Sequence, residues 1–228
     1  MEQKRCISSL TLAELTAALK AMGQPGFRAK QIFHWVHQKL VTEFSAMTDQ
    51  PKTLLAKLEE SFYIAAPKIE RRQEAKDGTV KYLYAMPDGE TVESVLMQYK
   101  HGWSQCLSTQ AGCRMGCAFC ATGMGGLHRN LTASEMLSQI EVAQQDRDVR
   151  VSSLVLMGMG EPLDNFDEVV RFLQLLSEEG GVHIGMRHIS LSTCGLVDKI
   201  YQLMEYRFPL TLSISLHAPN NELRSQLM

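Results

Sequence analysis

The stretch Cys113-Arg-Met-Gly-Cys117-Ala-Phe-Cys120 concentrates the chemical potential of this sequence. Three cysteines at C-x3-C-x2-C spacing, with Gly112 and Gly116 beside them, can fold back to face one centre. A structural zinc site closes its tetrahedron with four protein ligands. A [4Fe–4S] cluster has four irons, usually held by four thiolates. Three thiolates with no obvious fourth therefore point to a cluster at Cys113, Cys117 and Cys120, with one iron open to a molecule that is not protein. The competing reading is a zinc site completed by a distant residue such as His101, Cys106 or His128.

The rest of the chain must hold this loop in place. With 228 residues and 45% hydrophobic content, it can build a real core in one large or two modest domains. A net charge of −2 makes no general case for a polyanionic partner. Six cysteines, three of them clustered, read as a reducing cytoplasm rather than a disulfide scaffold. The start, Met1-Glu-Gln-Lys-Arg-Cys-Ile-Ser-Ser, has no apolar leader, and no run approaches membrane-spanning length. The expectation is a soluble, cytoplasmic protein.

Three helices are expected first, over Leu10–Lys20 capped by Ser8 or Ser9, from Phe27 to Leu40, and from Lys52 to Phe62. The second carries Phe27, Ile32, Phe33, Val36 and Leu40 on one face, with His34 and His37 read as ordinary surface or boundary residues. Residues 1–66 thus read as a small helical domain. Turn signals at Asp77-Gly78 and Pro87-Asp88-Gly89 then separate β-rich runs at Ile69–Lys76, Thr79–Met86 and Glu90–Tyr99, a meander linking the parts over 67–102. Glu93 on its last strand reads, taken alone, as a solvent-facing residue.

From 103 to 228 the pattern becomes strand–loop–helix. Strands are expected at Gln105–Thr109, Ser152–Met157, His188–Ser192 and Leu210–Leu216. Thr132-Ala-Ser-Glu135 is a capping box opening a helix to Gln144. Asp164 or Asn165 caps a helix to Leu176, a third helix runs from Val197 to Glu205, and Asn220 caps the last. The unusual residues all follow strands, as in (β/α) barrels, whose sites form at the strands' C-terminal ends. A Rossmann reading of Gly158-x-Gly160 is weaker, because the third glycine of that fingerprint is absent. Four units fall short of a complete barrel, so the expected architecture is α/β: a partial (β/α) barrel preceded by a helical domain and a β-meander, in a fragment of a longer protein.

The flanks Gln110-Ala-Gly-Cys-Arg-Met-Gly-Cys-Ala-Phe-Cys-Ala-Thr-Gly123 resemble the cluster loop of the radical S-adenosylmethionine (SAM) enzymes. Further stretches sharpen the likeness: Val92–Trp103, Cys106–Cys113, Met157-Gly-Met-Gly-Glu-Pro-Leu-Asp-Asn165, Arg187–Gly195 and Ser213-Ile-Ser-Leu-His-Ala-Pro219. Together they are similar to radical SAM RNA adenine methyltransferases, closest to the dual-specificity C2-methyltransferases of 23S rRNA and tRNA. The near alternative is the C8-methylating resistance enzymes. A zinc-stabilised RNA-binding module without catalysis is a more distant one.

The resemblance implies SAM and a [4Fe–4S] cluster as cofactors, with the amino and carboxylate groups of SAM on the open iron. It implies that one SAM methylates a carrier cysteine and a second yields a 5′-deoxyadenosyl radical. That radical activates the thiomethyl group for addition to C2, a carbon too electron-poor for ordinary methyl transfer. Cys106 matches the cysteine that resolves the covalent protein–RNA intermediate through a disulfide, and Glu93 matches the proton acceptor. Gly160, Glu161, Ser192, Ser215, Leu216 and His217 match SAM contacts. The carrier cysteine is expected beyond Met228, with Cys194 read as a small packing residue, so residues 1–228 alone should not turn over. The implied partners are 23S rRNA, tRNA and an electron donor such as flavodoxin or ferredoxin. A monomer away from membranes is expected.

Overall fold

The computed structural model describes residues 4–65 and 67–228; Met1–Gln3 and Ala66, the outermost positions of the expected helical unit, lie outside the described residues. The helical unit opens with a short strand β1 (Arg5–Cys6), then α1 (Leu12–Ala21), α2 (Phe27–His37), α3 (Lys52–Ser61) and β2 (Phe62–Tyr63), which pairs in parallel with β1. Thr11, rather than Ser8 or Ser9, caps α1. Its hydroxyl accepts from the Glu14 N–H while the Glu14 carboxylate accepts from the Thr11 N–H, a reciprocal box. Ser8 instead lies buried in a 3-10 turn, Ile7–Ser9. Leu15, Leu19, Ile32, Phe33, Leu54 and Leu58 close a core of their own. Phe27, expected on the inner face of α2, occupies its first position and is 59% exposed, with the Arg28 guanidinium 5.5 Å from its ring centroid.

The rest of the chain builds one seven-stranded mixed sheet. Its first half is β3 (Lys68–Glu74), β4 (Val80–Ala85) and β5 (Thr91–Tyr99), then β6 (Gly102–Cys106). These four are antiparallel neighbours, so the stretch expected as a meander linker is continuous with the barrel strands. Their turns are set by side chains: Asp77 accepts from the Thr79 N–H at 3.0 Å, and Asp88 from the Glu90 N–H at 3.1 Å. The strand expected at Gln105–Thr109 begins three residues earlier, because Gly102 pairs with Tyr99 and closes a tight hairpin that drives β6 forward. Residues after Cys106 leave the sheet to build the site.

A short ribbon follows, β7 (Gln110–Gly112) against β8 (Leu127–Asn130), with the cysteine loop between its strands. Then come α4 (Ala133–Arg147), β9 (Val151–Leu156), α5 (Phe166–Ser177), β10 (Ile189–Thr193), α6 (Val197–Glu205), β11 (Thr211–Ile214) and α7 (Asn221–Leu227). The box of Thr132 and Glu135 opens α4 as its sequence dictates. The order across the sheet is β11-β10-β9-β6-β5-β4-β3, with β6, β9, β10 and β11 mutually parallel. Four βα units therefore stand side by side. Alternation on β4 sends Val80, Tyr82 and Tyr84 inward, where they meet α4 residues such as Leu137 and Ile140 in the main core. Among the described residues, no helix is long and apolar enough to cross a membrane.

The two units are joined by specific polar contacts. His37, read as a surface or boundary residue, is buried at the boundary between the units, and its Nδ1 lies 2.9 Å from Glu141 of α4. It closes the end of α2 against the barrel, with the Phe33 ring 4.3 Å away. Arg171 of α5 donates to the Ser9 carbonyl and to the Glu14 carboxylate.

Candidate active site at the ends of the parallel strands

Because β6, β9, β10 and β11 run parallel, the segments that follow them all emerge on one rim. Buried amides fix the segment after β6. The Gln139 side chain of α4 accepts from the Ser108 N–H at 3.1 Å and donates to the Ser108 carbonyl at 2.9 Å. Asn165, expected to cap α5, makes no side-chain cap. Its amide is spent on the Thr109 and Leu131 carbonyls at 2.9 and 2.7 Å, so it ties the two ends of the cysteine loop together. Gln110 donates to Asn130 and Asp164, both at 2.8 Å, and accepts from the Glu161 N–H at 2.8 Å. The loops after β6 and β9 are thereby locked to each other.

Two glycines permit this closeness. A Cβ on Gly112 would lie 2.0 Å from the Gly126 carbonyl oxygen, where the ends of the cysteine loop meet. Gly160 has φ +98°, and a Cβ there would lie 2.6 Å from Cβ of Gln110. Only glycine suits either position.

The result is a cavity of about 280 Å³ that gathers Cys113, Cys117, Cys120, Gly160, Glu161, Ser192, Ser215 and His217 on one wall or another. Ser192 and Ser215 face each other across β10 and the end of β11, their hydroxyls 3.3 Å apart. The His217 ring leans on Phe119, 4.8 Å between centroids, and places an aromatic edge over the cysteine loop. Leu216 is not part of this lining; its side chain is largely exposed. Cys106 and Glu93 stand just outside. The Cys106 thiol, pushed up by burial, shares a hydrogen bond with the backbone of Met157, a lining residue. The Glu93 carboxylate pairs with Lys81 at 2.7 Å, while its carbonyl accepts from the Ser108 hydroxyl.

Glu161 is the most informative charge. It is 4% exposed, yet its oxygens meet only the Leu163 N–H at 3.0 Å, the Cys194 N–H at 2.7 Å and the Cys194 thiol. No cationic side chain meets it among the described residues. A buried carboxylate without a cation is costly, so the arrangement suits a cationic ligand. Burial raises the Cys113 thiol, and the charges of Cys117, Cys120 and Glu161 push it the same way. Cys194, expected merely to pack, lines the cavity, and burial followed by the Glu161 charge pushes its thiol up to about 12.

The donor set also bears on the metal. Among the described residues, no three His, Cys, Asp or Glu side chains converge closely enough to hold a single ion. The three thiols line one cavity, where a cluster would take one thiolate per iron. His101 stacks on Tyr99 and His128 pairs with Glu90, so neither completes a zinc tetrahedron with the three cysteines. Soft sulfur donors beside a buried carboxylate fit an iron–sulfur cluster and the ammonium group of SAM.

Comparison with known proteins agrees with this geometry. The Radical SAM superfamily model matches residues 107–228, and a model described as Ribosomal RNA large subunit methyltransferase N-terminal domain matches residues 7–64. The chain belongs to the radical SAM superfamily. A radical SAM methyltransferase from Sphaerobacter thermophilus has a crystal structure that superposes with a TM-score of 0.90 at 43% identity, covering 98% of this chain and 67% of that one. A probable dual-specificity RNA methyltransferase, RlmN, of Lachnoclostridium phytofermentans is 50% identical over 227 residues, 99% of this chain. Its counterpart in Clostridium botulinum is 52% identical over 223 residues, 97% of this chain. The chain spans about 64% of the length of each of these two relatives. Membership implies SAM and a [4Fe–4S] cluster, the groups that the cavity's donors suit.

Sequence reasoning missed Gln110, Gln139 and Asn165 as positioning residues. The sequence carries no clear local signal for them, since each sits among polar neighbours and only the fold buries it.

Proposed function

We propose that the intact protein is a SAM-dependent RNA methyltransferase acting on C2 of adenosine in 23S rRNA and in tRNA. The observation that carries this reading is the buried, cation-free carboxylate of Glu161 in the same cavity as the thiols of Cys113, Cys117 and Cys120. Bound there, the cluster and SAM supply one-electron cleavage of a sulfonium C–S bond, which no side chain of this chain can perform. Glu161 receives the ammonium group of SAM, and the Ser192–Ser215 pair offers hydroxyls to its polar atoms.

The RNA specificity draws support from relatives that are named dual-specificity RNA methyltransferases. C2 rather than C8 is favoured by the Gly-Trp103-Ser-Gln-Cys106 neighbourhood, which the C8 relatives carry in altered form. We assign Cys106, whose thiol shares a hydrogen bond with the backbone of Met157, the role of resolving a protein–RNA adduct by pairing with a carrier cysteine. Glu93 serves as proton acceptor once its pairing with Lys81 opens. The site of action is the cytoplasm, with a small redox protein as electron donor.

The test is anaerobic reconstitution of the intact protein with iron and sulfide, then incubation with SAM, a reductant and unmodified 23S rRNA fragments or tRNA. Nucleoside mass spectrometry should find 2-methyladenosine in both RNAs. Only 8-methyladenosine would overturn the C2 assignment. SAM cleavage without RNA methylation would overturn the RNA assignment while leaving the superfamily intact.

A further inference from the structure

The helical unit meets the barrel unit along a seam with a cavity at each end, and the two cavities differ in charge. The larger, about 780 Å³, is bordered by the C-terminal ends of α2, α4 and α5, with Asp148 and Glu179 beside Lys39 and Arg150. Helix C-termini carry partial negative charge, and so this end disfavours anions despite its size. The smaller, about 370 Å³, sets Lys4, Arg5 and Arg171 against one carboxylate, Glu168. Glu168 already accepts from the Ala133 N–H at 2.6 Å, and Arg171 already serves Ser9 and Glu14. Lys4 and Arg5 are exposed; the Lys4 ammonium donates to the Glu59 carbonyl with its other hydrogens facing solvent, and Arg5 makes no ion pair among the described residues. Tyr63 of β2 lines the same groove and is 44% exposed.

Topology puts this groove on the reacting side of the molecule. The N-cap of α4, Thr132, lines it, and α4 begins where the cysteine loop's return strand β8 ends. The N-terminal ends of α4 and α5 lie on the rim that carries the cluster cysteines, whereas the larger cavity lies at the opposite end. Paired cationic side chains beside an exposed aromatic ring are the features by which proteins hold an unpaired nucleic-acid strand, since phosphates meet the charges and a base stacks on the ring.

We propose that the Lys4–Arg5–Tyr63 groove is a subsite for an unpaired stretch of the substrate RNA, with phosphates on Lys4 and Arg5 and one base stacked on Tyr63. This rests on the RNA methyltransferase reading above. It assigns the helical unit a direct share in substrate binding at a place distinct from the cluster cavity.

Equilibrium binding of the intact protein to a labelled RNA hairpin with an unpaired, adenosine-containing loop tests this over a series of salt concentrations. Tyr63→Ala should weaken binding by about 5- to 100-fold, the range of one lost base stack, while Tyr63→Phe keeps the ring and should restore it. Arg5→Ala should flatten the dependence of log affinity on log salt by about 0.7, one single-strand phosphate contact. Lys39→Ala with Arg150→Ala, at the opposite cavity, should change nothing. All these side chains are outside the core, and thermal melting confirms that the variants fold. If wild type binds the hairpin and Tyr63→Ala and Arg5→Ala bind it equally well with unchanged slope, the subsite is wrong and the RNA reading stands. A blunt duplex competing as well as the hairpin would likewise overturn the stacking role. If wild type shows no salt-dependent binding of the hairpin, the subsite and the RNA reading fall together.

Discussion

Replacing Gln139 by leucine should loosen the cysteine loop from inside the core. Gln139 is fully buried, and its amide satisfies both backbone groups of Ser108, which no other contact reaches in its place. The Ser108 hydroxyl in turn donates to the Glu93 carbonyl at 2.5 Å and accepts from the Met159 N–H at 2.9 Å, so one residue ties β5 to the loop after β9. Leucine fills similar space but pairs with neither backbone group. A buried donor or acceptor left unpaired costs about 1–3 kcal/mol, so the pair costs about 2–6 kcal/mol. Whole-domain stability is about 5–15 kcal/mol, which makes this a large fraction. The Gln105 amide bonds the Gln139 backbone carbonyl rather than its side chain, so that contact survives and the perturbation stays local. Urea unfolding of wild type, Gln139→Leu and the exposed control Gln145→Leu on the same helix measures it, with a constant m-value as the condition for comparison. The control should stay within about 0.5 kcal/mol of wild type. If Gln139→Leu does the same, the loop does not depend on this amide and the positioning argument fails.

Three other outcomes follow from the same contacts. Gly160→Ala must move Gln110 or the loop itself, breaking the 2.8 Å bond to the Glu161 N–H. SAM affinity measured by equilibrium dialysis should drop by at least about tenfold with iron content retained, the scale of one strained residue; unchanged affinity would show that the loop absorbs the methyl group. Serine at Cys113, Cys117 or Cys120 should each abolish the brown chromophore after anaerobic reconstitution, whereas Cys106→Ser and Cys194→Ser should keep full iron and sulfide. Loss of iron in Cys194→Ser would make it a ligand and refute the three-thiolate assignment. Between the units, burial would raise the Glu14 carboxyl, but hydrogen bonds from Arg171 and Thr11 outweigh it and hold the pKa at about 2 rather than 4.5. A depressed carboxylate stabilises above its unfolded pKa, so the contribution is full above about pH 4.5 and fades as pH falls toward 2. With 40% of the side chain exposed, screening reduces it to about 1 kcal/mol. Acid unfolding of wild type and Glu14→Gln should therefore differ at neutral pH and converge near pH 2; a constant gap would exclude this linkage.

Local signals carried much of the architecture. Thr132 and Glu135 lie three residues apart on one turn, and Asn220 reaches the Leu223 N–H at 2.9 Å, so a short window of sequence contains both partners of each cap. The alternation of Val80, Tyr82 and Tyr84 is equally self-contained. The errors fell where a distant partner decides. Asn165 has the chemistry of an N-cap, but its NH2 donates to the Thr109 and Leu131 carbonyls, and its oxygen makes no bond to the N–H groups of the helix. His37 is legible only as a surface or boundary residue, and Glu141, over a hundred positions away, decides for the boundary. The strand register at Gly102 follows from its pairing with Tyr99, and the apolar pattern alone places it three residues late.

The site shows the same division more sharply. Cysteine spacing is local, so the ligands of a cluster can be read from one loop of eight residues. The role of Glu161 is not local. A glutamate after Gly160 is an ordinary N-cap candidate, and its side chain does accept from the Leu163 N–H in that capacity. What distinguishes it is burial without a cation, and that condition is produced by Gln110 holding its backbone from another strand, by Cys194 closing over it from a third, and by the absence of a Cβ at Gly160 that lets the loops touch. A buried charge of this kind is created by tertiary structure, since only the folded chain withholds water from the carboxylate while, among the described residues, no cationic side chain pairs with it; Arg224 reaches the neighbouring Cys194 carbonyl instead. Substituting Glu161 by glutamine tests that statement directly. The variant keeps the acceptor for Leu163 but turns an NH2 toward the Cys194 N–H, so the fold should lose about 1–3 kcal/mol and still form, while SAM affinity of the folded variant falls; unchanged SAM affinity would mean that the carboxylate serves the fold rather than the ligand.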